Sequence, residues 1–281
     1  MAKFTIIGDS CANIYERELP KSNKYDLHIA PLTLTVNGKD YVDNQDLDTR
    51  ELVTAVNTYK GVPKTACPSP EAFYSLMEKS DNIICILLSS KLSGTYASCM
   101  TAANDIKEKY PNKKLFVMDT LSACMGLDFI ITRCIELIET GEYTFDELTV
   151  KLEEVRRNTR VRFLLYDLGN LIKNGRLSKV AGAVLNTMKI KLVCGDDGAG
   201  EIKKYAMALG VRRGLGSLAD LPHKDKLAPE KTIMIGHVYN EEDAGFIKSA
   251  LVKHGYNNVS IRKMRGVSSI YAADKGIVIA Y

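Results

Sequence analysis

Between residues 87 and 96 the chain reads Leu-Leu-Ser-Ser-Lys-Leu-Ser-Gly-Thr-Tyr, a stretch that concentrates groups suited to holding an anion. Ser89, Ser90, Ser93 and Thr95 supply hydroxyls, and Gly94 lets a ligand approach the backbone closely. The continuously apolar run 83–88 before it reads as a strand buried on both faces. A helical pattern follows over about 95–109. Strand, polar turn and helix start in succession leave the first helical N–H groups unpartnered, beside roughly half a positive charge from the helix dipole. The plainer reading is that Ser93 or Thr95 only caps the helix, worth ~1 kcal/mol.

Two more strand ends carry similar groups, Asp9-Ser10 and Asp119-Thr120. In a parallel α/β sheet such ends gather at one edge, where ligands bind in a crevice, and the Thr65 loop could lie beside them. Catalysis is harder to support. Ser93 lacks a G-x-S-x-G elbow, and His237, at a strand end, reads as a capping or core histidine rather than a base. There is no G-x-x-x-x-G-K-[ST] loop and no G-x-G-x-x-G after a strand; Gly210, Gly214 and Gly216 fall in a helical context. The acidic pairs Asp196-Asp197 and Glu241-Glu242 sit at turns and read as solvated. Asp9 and Asp119 read equally well as turn formers or as acid–base groups. Seven Cys without a C-x-x-C pair and four scattered His offer neither a disulfide framework nor metal spacing. The residues favour binding over catalysis.

The elements that must position these groups alternate as strand and helix. Strands are expected over 4–8, 83–88 and 114–118, the last followed by a helix over about 122–139; the spacing is that of βαβ units. Residues 25–36 alternate loosely, and Asn37-Gly38 marks a hairpin turn before Tyr41-Val42. Asp48 caps a helix to about 57, and Ser69 with Pro70 opens another over 70–79. Thr144 and Glu147 form a capping box for a helix to about 158. The pattern then changes, which places a domain boundary between an N-terminal unit, 1–158, and a C-terminal unit, 159–281. The second unit is expected to hold a strand over 161–166, a short helix over 167–173, and a small-residue helix from Ser178 to Met188. A long hairpin over 190–209 follows, then a helix ending before Pro222. Strand 232–237, helix 241–254, strand 259–264 and strand 277–281 complete it. The fold class is α/β in two domains: an N-terminal, mostly parallel, Rossmann-like sheet and a smaller C-terminal α/β domain with a mixed sheet.

With 281 residues, 46% apolar and 26% charged, the chain has the composition of an ordinary globular protein. No run approaches the length of a membrane span and no signal peptide is evident, so a cytoplasmic protein is expected. Residues 1–156 hold 17 basic and 23 acidic side chains, net −6; the remainder holds 21 and 11, net +10. The basic half could face an acidic partner or a membrane surface. No aromatic-interleaved basic stripe points to nucleic acid.

Several segments, in order along nearly the whole chain, resemble the DegV family of bacterial fatty-acid-binding proteins. They are Asp9-Ser10, Pro31-Leu32, Thr65-Ala-Cys-Pro-Ser-Pro70, Ser89-Ser-Lys-Leu-Ser-Gly-Thr-Tyr96, Asp119-Thr120, Asn174-Gly-Arg-Leu-Ser178 and Lys189-Ile-Lys191. The resemblance implies two α/β domains with a long-chain fatty acid between or beneath them. Its carboxylate would be held by Ser93, Thr65 and the Gly94-Thr95 turn, with Arg176 supporting the polar end. It further implies a carrier that supplies no catalytic residue, uses no metal or cofactor, and presents the carboxylate to a fatty acid kinase for acyl-phosphate formation and phospholipid synthesis. Transient contact with a membrane surface fits that role, and Arg212 or Arg213 could dock the kinase. Two positions depart from the family pattern. Tyr271 stands where a ligand-binding His is usual, near Asp274, and Cys67 replaces the usual Gln of the Thr65 loop. The alternative is a small-anion enzyme, a hydrolase or phosphotransferase, that uses the Ser93-Gly94-Thr95 turn as an oxyanion or phosphate site.

Overall fold

The computed structural model describes residues 3–177 and 190–281. The expected small-residue helix from Ser178 to Met188, and Lys189, lie outside the described residues.

The first half builds two sheets. Strands β1 (Phe4–Asp9), β2 (Tyr25–Ala30), β6 (Asn82–Leu87) and β7 (Lys114–Asp119) form an all-parallel sheet in the order β2-β1-β6-β7. Between them, β3 (Thr33–Val36), β4 (Lys39–Val42) and β5 (Lys64–Ala66) form a small antiparallel sheet, order β4-β3-β5. The single alternating stretch 25–36 is therefore two strands in different sheets, separated by Pro31-Leu32, because Pro31 has no N–H to continue a ladder. The Thr65 segment, expected to be a loop, is the edge strand β5, with Thr65 opposite Leu34.

Helices α1 (Thr49–Thr58), α2 (Pro70–Met77), α3 (Thr95–Lys109), α4 (Met125–Thr140) and α5 (Phe145–Asn158) complete this half. Their starts follow local chemistry. The Asp48 carboxylate accepts from the N–H groups of Arg50 and Glu51, and Ser69 Oγ accepts from Ala72 with Pro70 in the first turn. Thr144 and Glu147 satisfy each other's backbone in a complete capping box. The apolar run of β6 is explained by its central place in the sheet, where Ile83, Ile84, Cys85, Ile86 and Leu87 are all fully buried.

The second half is one mixed sheet of β8 (Val161–Leu164), β9 (Ile190–Asp196), β10 (Ile202–Leu209), β11 (Ile233–His237), β12 (Val259–Lys263) and β13 (Ile277–Ala280). Its order is β10-β9-β8-β13-β11-β12, and only β11 and β12 run parallel. The last strand is thus near the centre, a long-range placement that local patterning does not reveal. Helices α6 (Gly169–Lys173), α7 (Val211–Ala219), α8 (Leu221–Lys224), α9 (Glu241–Lys253) and α10 (Gly266–Ala272) flank it. Helix α7 ends before Pro222, as expected, and Pro222 itself occupies the first turn of the short α8, where its missing N–H costs nothing.

The sheets fall on either side of residue 158, but the apolar cores interlock across that point. Val267 and Ile270 of α10 pack in a cluster with Leu34, Leu52 and Leu127, while Val53, Met125 and Phe129 join a cluster with Phe163 and Val278. Helix α10 lies in the stretch between strands 259–264 and 277–281, to which the sequence pattern assigned no element. Buried hydrogen bonds tether its start: Val267 N–H donates to Asp43 Oδ2 (2.8 Å), Arg265 N–H to Asn13 Oδ1 (2.8 Å), and Ser268 Oγ to the Cys11 carbonyl (2.9 Å).

Candidate ligand-binding site

The carboxyl ends of β1, β6 and β7 are knitted together by the polar residues noted in the sequence. Fully buried Asp9 accepts from Leu88 N–H (2.8 Å) and Cys11 N–H (2.9 Å), and burial pushes its pKa up to about 7. Asp119 Oδ1 accepts from the N–H groups of Ser90 and Leu121, both at 3.1 Å. Thr120 Oγ1 donates to the Leu87 carbonyl (2.7 Å). These carboxylates and hydroxyls are turn formers that fix the backbone of the 88–95 loop.

That loop places Ser93 at the wall of a cavity of about 950 Å³, its open mouth included. Leu32, Leu88 and Leu121 line one side, and Phe163, Leu171 and Val278 the other. Four of the six residues singled out from sequence, Thr65, Ser93, Arg176 and Tyr271, line the same cavity. They come from β5, the loop before α3, the turn after α6, and α10, so three long-range packings converge there. Thr65 Oγ1 and Tyr271 Oη are hydrogen-bonded at 3.1 Å. The Arg176 guanidinium lies 5.7 Å from the Tyr271 ring centre, its Nε donating to the Leu92 carbonyl (3.2 Å) and Nη1 to the Asn174 carbonyl (2.6 Å). Those carbonyls hold the cation in place without neutralising it.

Gly94 and Thr95 serve differently. Neither lines the cavity. Gly94 is the N-cap of α3 and faces an adjoining groove, with its Cα side open except for Cys67 Sγ. Thr95 is fully buried, with Oγ1 hydrogen-bonded to Ser93 Oγ (2.9 Å), while its N–H donates to the same Ser93 oxygen (3.3 Å). Thr95 therefore orients the Ser93 hydroxyl. Asp274 is not among the residues lining the cavity.

Part of the wall comes from residues that no sequence motif marks. Asp196, Gly200, Glu201 and Ile202 of the β9–β10 hairpin reach the cavity, and Ser89 Oγ donates to the Gly200 carbonyl (3.0 Å), pinning the hairpin tip to the parallel sheet's end. Gly200 adopts φ +92°, and a Cβ there would come within 2.6 Å of Ser89 Oγ. Asp196 is not solvated as its turn position suggested. It accepts from Val161 N–H (2.6 Å) and pairs with the buried Arg162 guanidinium (2.8 Å), which also pairs with Asp225 (2.9 Å) and stacks on Tyr205. Cys11 and Cys124 also line the cavity, with burial pushing both thiols up. His237 does not line it: its Nδ1 accepts from Asn240 N–H (3.1 Å), and burial lowers its pKa, as expected of a core histidine.

Comparison with known proteins agrees with this architecture. A model of the DegV family, described as uncharacterised proteins, matches residues 3–281. A DegV domain-containing protein of Streptococcus pyogenes is 30% identical over 253 residues, which cover 89% of each chain. Among solved structures, the fatty acid kinase (Fak) B3 protein of Streptococcus pneumoniae, loaded with linoleic acid, superposes with a TM-score of 0.92 at 27% identity, covering 99% of both chains. A DegV family protein of Ruminococcus gnavus, refined with vaccenic acid, gives 0.91 at 27% identity and the same coverage. One from Eubacterium eligens, loaded with heptadecanoic acid, gives 0.88 at 26% identity, covering 99% of this chain and 98% of its own. The end-to-end family match and the superposition on solved members identify the chain as a member of the DegV family.

Proposed function

We propose that the protein binds a long-chain fatty acid in the cavity and presents its carboxylate to a fatty acid kinase, without itself catalysing the transfer. One observation carries the reading: an apolar cavity between two sheets has Thr65, Ser93, Arg176 and Tyr271 as a polar group on its wall. Relatives of the same fold hold linoleic, vaccenic and heptadecanoic acids. A sixteen-carbon chain buries ~14 methylenes at ~0.8 kcal/mol each, a gross gain of ~11 kcal/mol before ordering costs. Hydrogen bonds to its carboxylate add ~1.5–3 kcal/mol each. The tail thus supplies most of the affinity and the head contacts supply orientation.

In this reading Tyr271 and Thr65 exchange their mutual hydrogen bond for donation to the carboxylate, Ser93 donates as Thr95 directs, and Arg176 balances the charge. A tyrosine hydroxyl fills the role expected of the family's histidine. The two halves of the chain act as the two units expected on either side of residue 158, and the kinase's phosphoryl donor supplies the chemistry. The reading calls for no metal or cofactor and assigns the carrier to the cytoplasm with the kinase, with passing contact at a membrane surface where acyl chains are exchanged. Among the described residues no helix is long and apolar enough to cross a membrane.

Mass spectrometry of an organic extract from freshly purified protein, calibrated to protein concentration, tests this. Near-stoichiometric long-chain fatty acid is expected. A protein that stays empty in excess fatty acid, or that turns over a small ester or phosphate, would overturn the carrier reading in favour of a small-anion enzyme.

A further inference from the structure

Two thiols on the cavity wall have no role in the fatty-acid reading. Cys11 follows β1 and Cys124 caps α4, 113 residues apart in the chain, so no C-x-x-C spacing marks them. In the fold the Cys124 N–H donates to Cys11 Sγ at 3.2 Å, and the Ser268 hydroxyl of α10 lies within hydrogen-bonding reach of both thiols. A third sulfur completes the group. Met264, directly after β12 and fully buried, accepts the Cys124 thiol on its Sδ at 3.1 Å. We propose that Cys11, Cys124 and Met264 form a binding site for a soft monovalent metal ion, copper(I). The site stands independently of the fatty-acid reading, although it opens on the same cavity.

Donor type and surroundings support it. Two thiolates and a thioether are soft donors that select copper(I) over the hard cations Mg²⁺ and Ca²⁺, whereas Zn²⁺ in a closed site asks for four ligands. Binding exchanges the two thiol protons for the metal: both protons leave to solvent and no electron moves. Burial holds those protons tightly, so only an ion of high thiolate affinity displaces them. The two thiolates with the ion carry one net negative charge, and donors are already in place for it. Cys124 Sγ accepts from Met125 N–H and from Asn13 Nδ2 (3.8 Å), beside the positive end of the α4 dipole. Cys11 Sγ keeps the Cys124 N–H. Such outer donors orient metal ligands and tune their basicity. Cys124 also adopts φ +54°, a conformation an L residue takes at a cost, and from it touches Cys11 through its N–H and Met264 through its thiol.

The test titrates copper(I), held as its bicinchoninate complex without oxygen, into the full-length protein stripped of lipid on a hydrophobic resin. A Cys67→Ser parent removes the exposed thiol from the count. The parent should withdraw one copper(I) per chain. Cys11→Ser and Cys124→Ser should each lose that capture, while Met264→Leu should keep the stoichiometry with affinity lower by about tenfold. Cys134→Ser, which alters a fully buried cysteine that does not line the cavity, should match the parent. X-ray absorption on the loaded parent, which depends on no further variant folding, should show sulfur neighbours alone. Oxygen or nitrogen neighbours, capture that survives both Cys11→Ser and Cys124→Ser, or a parent that withdraws no copper would each overturn the site. Capture lost instead in Cys85→Ser would place the ion on the neighbouring Cys85 and Cys99 of the core and overturn it as well.

Discussion

At the residue scale, the hydroxyls of Thr65, Ser93 and Tyr271 share the cavity wall with the fixed Arg176 guanidinium, and Asp196 and Glu201 line it from the β9–β10 hairpin. Thr65 and Tyr271 already bond each other at 3.1 Å, so their geometry is set before a ligand arrives. Preorganised donors orient a carboxylate for attack at little further cost, and misplacement by an ångström costs a transfer reaction far more than it costs binding. Combining Ser93→Ala with Thr65→Val should therefore reduce fatty-acid retention modestly, because the tail supplies most of the affinity. Kinase-dependent acyl-phosphate formation should drop by more than tenfold. Retention measured by ligand extraction and formation measured with the kinase check the two effects separately, and an unchanged kinase rate would contradict the assignment.

At the element scale, helix α10 brings Tyr271 to the site, and its position depends on one glycine. Gly266 has φ +42°, and a Cβ there would lie 1.6 Å from Asp43 Oδ1. Asp43 is the acceptor for Val267 N–H, the first tether of the helix, so a side chain at 266 disrupts both the backbone conformation and the acceptor. Gly266→Ala should cost about 2–4 kcal/mol from overpacking and left-handed strain. A denaturant titration gives the stability loss, and extracted ligand per mole of protein should fall with it as Tyr271 loses its place. A variant with parental stability would show that Asp43 can move aside freely.

At the scale of the whole molecule, three carboxylic acids are buried where α10, β1 and α4 meet. Burial pushes Asp9 and Asp128 up to about 7 and Asp43 up to about 6, from an ordinary value of 3.8. A carboxyl group that holds its proton more tightly in the folded chain favours folding at low pH. That contribution is complete below about pH 4 and is lost as pH rises through about 7. His237, whose pKa burial lowers, acts in the opposite sense at mildly acidic pH. Comparison with Asp128→Asn isolates one acid: Asn retains the oxygen that accepts from Asn13 N–H and cannot ionise. Relative to the variant, the parent protein should lose stability between about pH 4 and 7 and level off above that in denaturant titrations. Parallel stability curves would refute a raised Asp128 pKa. In the second half Arg162 pairs, buried, with Asp196 and Asp225, and Arg212 pairs at the surface with Glu242.

Local chemistry alone determined much of this protein. The central strand β6, the caps at Asp48, Ser69 and Thr144, the Asn37-Gly38 turn and the β9–β10 hairpin follow from side-chain periodicity and from groups that satisfy backbone within a few residues. The 87–96 stretch reads as a candidate anion site because its hydroxyls, glycine and helix start are contiguous. Only the tertiary structure decided what that site adjoins. Thr65, Arg176 and Tyr271 lie far from Ser93 in the chain, and no local signal states that β5, the turn after α6 and α10 converge on it. The same holds for β13 near the sheet's centre, for Asp196 buried against Arg162, and for α10, whose short apolar face packs against Leu52 of α1. Local interactions fix which conformation a segment prefers, but burial of one distant segment against another fixes which side chains share a cavity.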